Sequence, residues 1–286
     1  MRTGYKARGK LFEAFRKYFQ HIPDDVSMMI QEHQRVFTEG GIGEKDIYKM
    51  QANFSHAAYP NTAPTLFWTV YEIYSRPELL EVIRQEIFGN AVRKSADGFI
   101  LDVAALKTKC DILLSAYQET QRTRHTQVAF RMVREDTLLD GQYLLKKGNM
   151  LHMPAKPIHE DTNIWGHNAR VFDPYRFVPA KAGETRTKIL PSTFLPWGAP
   201  PHLCPARQFV STEILIVVAL LALRVNLTPV GGKGWEREPA LKPNDIASLP
   251  RPQKDVRLKI TARDEGVGNW AIIVGESKTR LSLASG

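Results

Sequence analysis

Cysteine is nearly absent from this chain: among 286 residues only Cys110 and Cys204 occur. Two cysteines so far apart form neither a zinc-ligand spacing nor a disulfide framework, and such sparse usage fits a reducing compartment. Long apolar runs are also missing. The longest, Ile214 to Leu223, is too short to span a bilayer and ends against Glu213, so it is expected to be a buried core helix. The opening segment, MRTGYKARGKLFEAFRKYF, is basic but has no apolar core, so it is expected to be neither a signal peptide nor a transmembrane anchor. There are no internal repeats. The formal net charge is +9, yet the basic residues are scattered rather than run together. That distribution argues against nucleic acid and is compatible with an acidic membrane surface or an acidic redox partner.

What is present is ordinary for a globular chain: 43% hydrophobic, 24% charged and 9% aromatic residues, enough to bury a core. Apolar spacing predicts helix over 8–37 and a long helix from 45, with a second helix starting at Pro77, for which Ser75 is a candidate cap. A further helix is expected over 101–123. The period then changes. Residues 128–133 read as a strand, Asp140-Gly141 as a hairpin turn, Lys147-Gly148 as a second turn, and 150–153 as another strand. Residues 154–203 are rich in Pro, Gly, Asp and Asn and read mostly as loop, which at that length is usually functional. Helix returns over 205–225, and strands are expected at 256–260 and 270–274. The fold class is α+β, mainly α.

The segment with the clearest chemistry is Phe194-Leu-Pro-Trp197-Gly198-Ala-Pro200-Pro-His202-Leu-Cys204-Pro-Ala206-Arg207. A rigid loop delivers a cysteine to the start of an apolar helix, where the dipole and free N–H groups favour the thiolate. Such a thiolate can hold a haem iron. The loop resembles the cysteine-ligand loop of the cytochrome P450 family. Trp197 fills the family's aromatic position seven before the cysteine, His202 the basic position two before it, and Arg207 follows as usual. Pro200 and Ala206 depart from the pattern, each replacing a glycine.

Three other segments carry the same resemblance. Glu119-Thr-Gln-Arg122 matches the family's Glu-x-x-Arg helix motif, and Asp173-Pro-Tyr-Arg176-Phe supplies the Arg with which that motif pairs, 28 residues before Cys204. Glu119, Arg122 and Arg176 are thereby expected to form a charge-assisted cluster that fixes the cysteine loop. Ala57-Ala-Tyr-Pro60-Asn61-Thr62-Ala-Pro64 resembles the helix crossing the oxygen side of the haem, bent by its prolines. Thr62 takes the place of the proton-relaying Thr and Asn61 that of the acid, an Asn-Thr form similar to the branch of sterol and bile-acid hydroxylases. Arg131 is expected to bind a haem propionate, as is His202. The segment from His159 to Gly166 also resembles the family, with its histidines structural.

The resemblance implies one partial cytochrome P450 domain over 1–286, truncated at its N-terminal side: a helical part (1–127), small sheets and a meander loop (128–203), then the cysteine-ligand helix and C-terminal strands (204–286). It further implies haem b with Cys204 as axial ligand, O2, an NADPH–cytochrome P450 reductase, an apolar terpenoid, sterol or polyketide substrate, no nucleic-acid partner, and the endoplasmic reticulum surface as location. The expected activity is monooxygenation. Asn61, which cannot titrate, favours a reductase-independent isomerase or dehydratase as the alternative. Pro200 and Ala206 favour a third reading, a non-catalytic remnant.

Overall fold

A computed structural model describes residues 2–180, 189–243, 245, 247–275 and 279–286. Two compact units divide at Asn61 and Thr62. The first holds α1 (Arg2–Gln20), α2 (Met28–Glu39) and the opening half of α3 (Glu44–Tyr74). Helix is therefore interrupted between 20 and 28, where a single run had been expected. Pro23 lacks an N–H, its carbonyl instead closes a turn with Val26, and the Ser27 carbonyl then receives the first N–H groups of α2. Within this unit the His33 ring meets Phe54 edge-on at 4.7 Å and its Nδ1 lies 3.3 Å from Gln51 Oε1, which ties α2 to α3.

The second unit continues with α4 (Pro77–Ala91), β1 (Val92–Ser95), β2 (Gly98–Asp102), α5 (Val103–Lys109) and α6 (Asp111–Arg124). Pro77 opens α4 as expected, because its missing N–H is one that a first helical turn leaves unpaired anyway. Ser75 does not cap it: the Ser75 hydroxyl donates to the Glu72 carbonyl. The single helix expected over 101–123 is instead the end of a strand and two helices. The apolar run Phe99–Leu101 pairs in parallel with β9 (Asn269–Ile273), a partner more than 160 residues away. Gly98, at φ 150°, makes that pairing possible, since a Cβ there would lie 2.1 Å from the Asn269 carbonyl oxygen. Asp102 then caps α5 by accepting from the Ala105 N–H.

Beyond α6 come β3 (Val128–Met132), β4 (Thr137–Leu139), β5 (Tyr143–Leu145) and β6 (Met150–Pro154), then the short helices α7 (Ala155–His159) and α8 (Thr162–Trp165). β3 pairs with β6 and β4 with β5, both antiparallel. Asp140 and Gly141 have φ of 52° and 64° and the Gln142 N–H bonds the Leu139 carbonyl, which is the left-handed turn that an Asp-Gly pair favours. Helix α9 (Arg207–Arg224) leads into β7 (Val225–Pro229), which pairs with β8 (Leu258–Ala262).

The main core is the meeting of α4, α6 and α9. Ile83, Ile87, Leu113, Tyr117, Ile214, Leu215, Val218 and Ala219 are all buried there. The longest apolar run of the sequence thus lies in α9, where Ile214, Leu215, Val218, Ala219, Ala222 and Leu223 are buried, and among the described residues no helix is long and apolar enough to cross a membrane. Two carboxylates, Glu72 buried and Glu86 half-buried, join helices in this unit. Glu72 on α3 accepts from Arg124 of α6 at 2.5 and 2.8 Å, with the Arg124 guanidinium 4.4 Å from the Trp68 ring centre. Glu86 on α4 accepts the otherwise unpaired N–H groups of Ile112 and Leu113, and so caps α6 from outside it. Replacing Glu86 by Ala is expected to cost about 1–3 kcal/mol, because two helix-end donors lose their acceptor. The check is a lower urea midpoint with an unchanged slope.

Candidate functional site

The site is built outward from the last turns of α6. Residues three apart share a helical face, and Glu119 and Arg122 sit there with fully buried side chains. Arg122 Nε and Nη2 donate to the two carboxylate oxygens at 2.7 and 2.6 Å. Arg176 Nε approaches both oxygens at 3.1 Å, and the Asp173 N–H donates at 3.0 Å. The remaining guanidinium donors go to backbone carbonyls. Arg122 Nη1 reaches those of His159 and Ala169 at 2.5 and 2.6 Å, and Arg176 reaches those of Trp165 and Asn168. A buried carboxylate is tolerable only when paired and fully hydrogen-bonded, and here two guanidinium groups meet that need while holding the irregular chain from 159 to 177.

His159 carries this cluster to the cysteine loop. Its Nδ1 lies 2.9 Å from the Arg122 carbonyl, and its Nε2 lies 3.0 Å from the Leu195 N. The carbonyl can only accept and the amide can only donate, so Nδ1 carries the proton and the ring is neutral. Burial first, then neighbouring His125 and Arg122, pushes the His159 pKa down to about 3; burial alone pushes His125 down to about 4. Phe194, fully buried, packs against Phe177 with ring centres 5.2 Å apart, fixing the start of the loop.

From Leu195 the loop turns on itself. The Gly198 N–H bonds the Leu195 carbonyl, and the Cys204 N–H bonds the Trp197 carbonyl at 2.8 Å. Gly198 has φ of 90°, and a Cβ at that position would lie 3.1 Å from the His202 carbonyl oxygen, so this turn needs glycine. Arg131, projecting from β3, donates to the Ala199 carbonyl at 2.5 Å and more weakly to that of Pro200. Cys204 is half-buried just before α9, and the Arg207 backbone and side chain both donate to its carbonyl at 3.3 Å. Cys110, unlike Cys204, is buried. Burial, reinforced by Glu86 and Asp111, pushes the Cys110 thiol up to about 12, so it is inert at neutral pH.

The other expected site residues are placed as follows. Arg131 is at the loop, and Glu119, Arg122 and Arg176 are together. His202 is exposed. Asn61 is exposed and closes the first unit, while Thr62 is half-buried and opens the second; Pro60 and Pro64 both lie within α3. His159 is structural, as expected from its segment, but its partners are more than 35 residues away in either direction and carry no local signal. Trp197 was legible as an aromatic, but not as a donor: its Nε1 is buried and has no hydrogen-bond partner among the described residues.

That orphaned N–H tests the fit of a haem, because a buried donor ordinarily has an acceptor. A propionate would supply one, with the Arg131 guanidinium close to the same loop to balance its charge. No group of three His, Cys, Asp or Glu among the described residues is arranged to hold a bare metal ion. Cys204 offers a single ligand, which suits an iron already held by a macrocycle. The donor set fits the group.

Comparisons with known proteins agree. The family model described as Cytochrome P450 matches residues 11–254. A cytochrome P450 monooxygenase, nodJ, of Hypoxylon pulicicidum is 34% identical over 98% of this chain and 56% of its own length. A cytochrome P450 monooxygenase of Gibberella zeae is 28% identical over 86% of this chain and 48% of its own. A bifunctional cytochrome P450/NADPH–P450 reductase of Bacillus subtilis is 25% identical over 86% of this chain. The chain spans about half the length of the first two of these curated relatives.

Two outcomes follow from the cluster. Arg122→Ala leaves the Glu119 carboxylate buried with too few donors and is expected to destabilise the fold by roughly 3–5 kcal/mol in denaturant titrations. The buried histidines set the acid limit. Their folded pKa values lie below the ordinary value of about 6.5, so the unfolded chain binds the extra protons. Stability is therefore complete above that pH and is lost as pH falls from about 6.5 toward 4, with a limiting slope near 2.7 kcal/mol per pH unit for two protons. His159→Gln is expected to halve that slope.

Proposed function

The chain belongs to the cytochrome P450 family, and we propose that it forms the haem-binding portion of a haem-thiolate monooxygenase in which Cys204 would hold the iron of haem b. The observation that carries this reading is the half-buried cysteine pinned by the Trp197 carbonyl, beside an orphaned indole N–H and the Arg131 guanidinium. Haem, when bound, supplies the activation of O2 with electrons from an NADPH–cytochrome P450 reductase. The rest falls to the chain's own residues. Cys204 would provide the sulfur ligand, three residues before the start of α9. Arg131, Trp197 and His202 provide donors for propionates. The Thr62 hydroxyl both donates and accepts, so with haem bound it would be able to pass a proton between waters, and the Asn61 amide would hydrogen-bond water without giving up a proton. Glu119, Arg122 and Arg176 position the loop and touch no reacting atom.

The proposed substrate is an apolar small molecule of terpenoid, sterol or polyketide type, and the proposed location is the endoplasmic reticulum surface. The fused reductase of the Bacillus subtilis relative supports a reductase as electron donor. Asn61 at the acid's position favours a second reading, rearrangement or dehydration of a peroxide without a reductase. NADPH-dependent product formation with reductase present supports the first reading, and turnover of a peroxide without NADPH the second.

The direct test of the ligand is the reduced carbon-monoxide difference spectrum of the chain expressed with haem. The wild-type chain is expected to show a thiolate-type Soret band and Cys204→Ser to lose it while keeping its far-ultraviolet circular dichroism. A wild-type chain without that band contradicts the assignment.

A further inference from the structure

The charge of this protein is unevenly spread. Helix α1 contains Arg2, Lys6, Arg8, Lys10, Arg16 and Lys17 against the single acid Glu13, so it alone carries five of the nine net positive charges. Glu13 is also spoken for, by Arg16 at 2.6 Å. At 3.6 residues per turn, Tyr5, Leu11, Phe12, Phe15, Tyr18 and Phe19 fall within a sector of roughly 140°, and Lys6, Lys10 and Lys17 fall outside it. The apolar sector is not enclosed: Tyr5 is 71% exposed, Leu11 39% and Tyr18 38%, while the three phenylalanines are half-buried. Gly4 and Gly9 weaken the helix on its own, so an apolar surface for this sector to rest on would stabilise it.

From this we propose that α1 is an interfacial helix that docks the protein on an anionic phospholipid surface. A basic polar face opposite an aromatic one is the composition that lies in a membrane interface rather than across it. Tyr5 and Tyr18 can sink their rings while the hydroxyls stay among the headgroups, and Lys6, Lys10 and Lys17 can meet lipid phosphates. Arg8 decides between a membrane and an acidic protein groove. It lies inside the aromatic sector, with its guanidinium 5.0 Å from the Tyr5 ring centre and 5.9 Å from that of Phe12. At a bilayer this charge reaches a phosphate while the rings remain below it. A dry groove would have to bury it. The inference names the element and the lipid chemistry behind the membrane-surface location and rests on α1, independently of the haem site.

The test is co-sedimentation of the full chain with phosphatidylcholine vesicles and with vesicles that also contain phosphatidylserine. No step depends on haem, so failure here and failure of the ligand assignment are separable. Binding is expected to require phosphatidylserine, to weaken with added salt, and to fall at least tenfold in the triple variant Lys6→Glu, Lys10→Glu, Lys17→Glu. A second variant, Phe12→Ala with Phe15→Ala, is expected to weaken binding while leaving its salt dependence in place. Equal binding to both vesicle types, unchanged binding of the charge-reversed chain, or no binding at all overturns the proposal. Retention on an immobilised acidic helix-binding protein in place of vesicle binding would assign α1 to a protein partner and overturn it as well.

Discussion

The Glu119 carboxylate is the constraint on which the rest depends. A charge taken fully out of water must be matched at close range, and four donors from Arg122, Arg176 and the Asp173 N–H meet its two oxygens. The pair is not chiefly a source of net stability, since apolar residues of similar volume could fill the same space. What the charges add is direction. Each guanidinium has more donors than the carboxylate can accept, and the surplus donors fix the carbonyls of His159, Trp165, Asn168 and Ala169. An irregular stretch that lacks a hydrogen-bond ladder of its own thus obtains one set of partners and one conformation.

The order imposed there passes to the cysteine loop by short, directional links. His159 joins the Arg122 carbonyl to the Leu195 N–H, and Arg131 joins β3 to the Ala199 carbonyl. The loop is held at both its entry and its middle by side chains outside it. Within the loop, Gly198 occupies a position whose left-handed backbone needs glycine. Neutral histidine is essential to the link, because a protonated ring would turn a second donor against the Leu195 N–H.

Much of this was legible before any coordinates. Asp140-Gly141 announced its hairpin because turn chemistry is local, and the apolar run from Ile214 announced a buried helix because only a core can absorb it. The Glu-x-x-Arg spacing places Glu119 and Arg122 on one helical face, and the family resemblance, not the spacing, adds Arg176 to them. What remained hidden was non-local. Leu101 reads as the start of a helix until the parallel partner of its strand, near 270, is known. The break after Gln20 follows from one proline amid an otherwise continuous apolar pattern. His159 and the Trp197 N–H reveal their work only when residues far apart in sequence are brought together. The fold class was thus readable from local pattern, while the support of the site required the tertiary structure.

The central claim is that the buried charge cluster, acting through His159, holds the cysteine loop in place. Amide hydrogen exchange in Glu119→Gln measures this directly, at Leu195 and Cys204 on one side and at Ile83 and Ile87 in the α4 core on the other. The account predicts that protection at Leu195 and Cys204 falls at least tenfold more than protection in α4. Loop protection that survives the substitution, or falls only in step with the core, would contradict it.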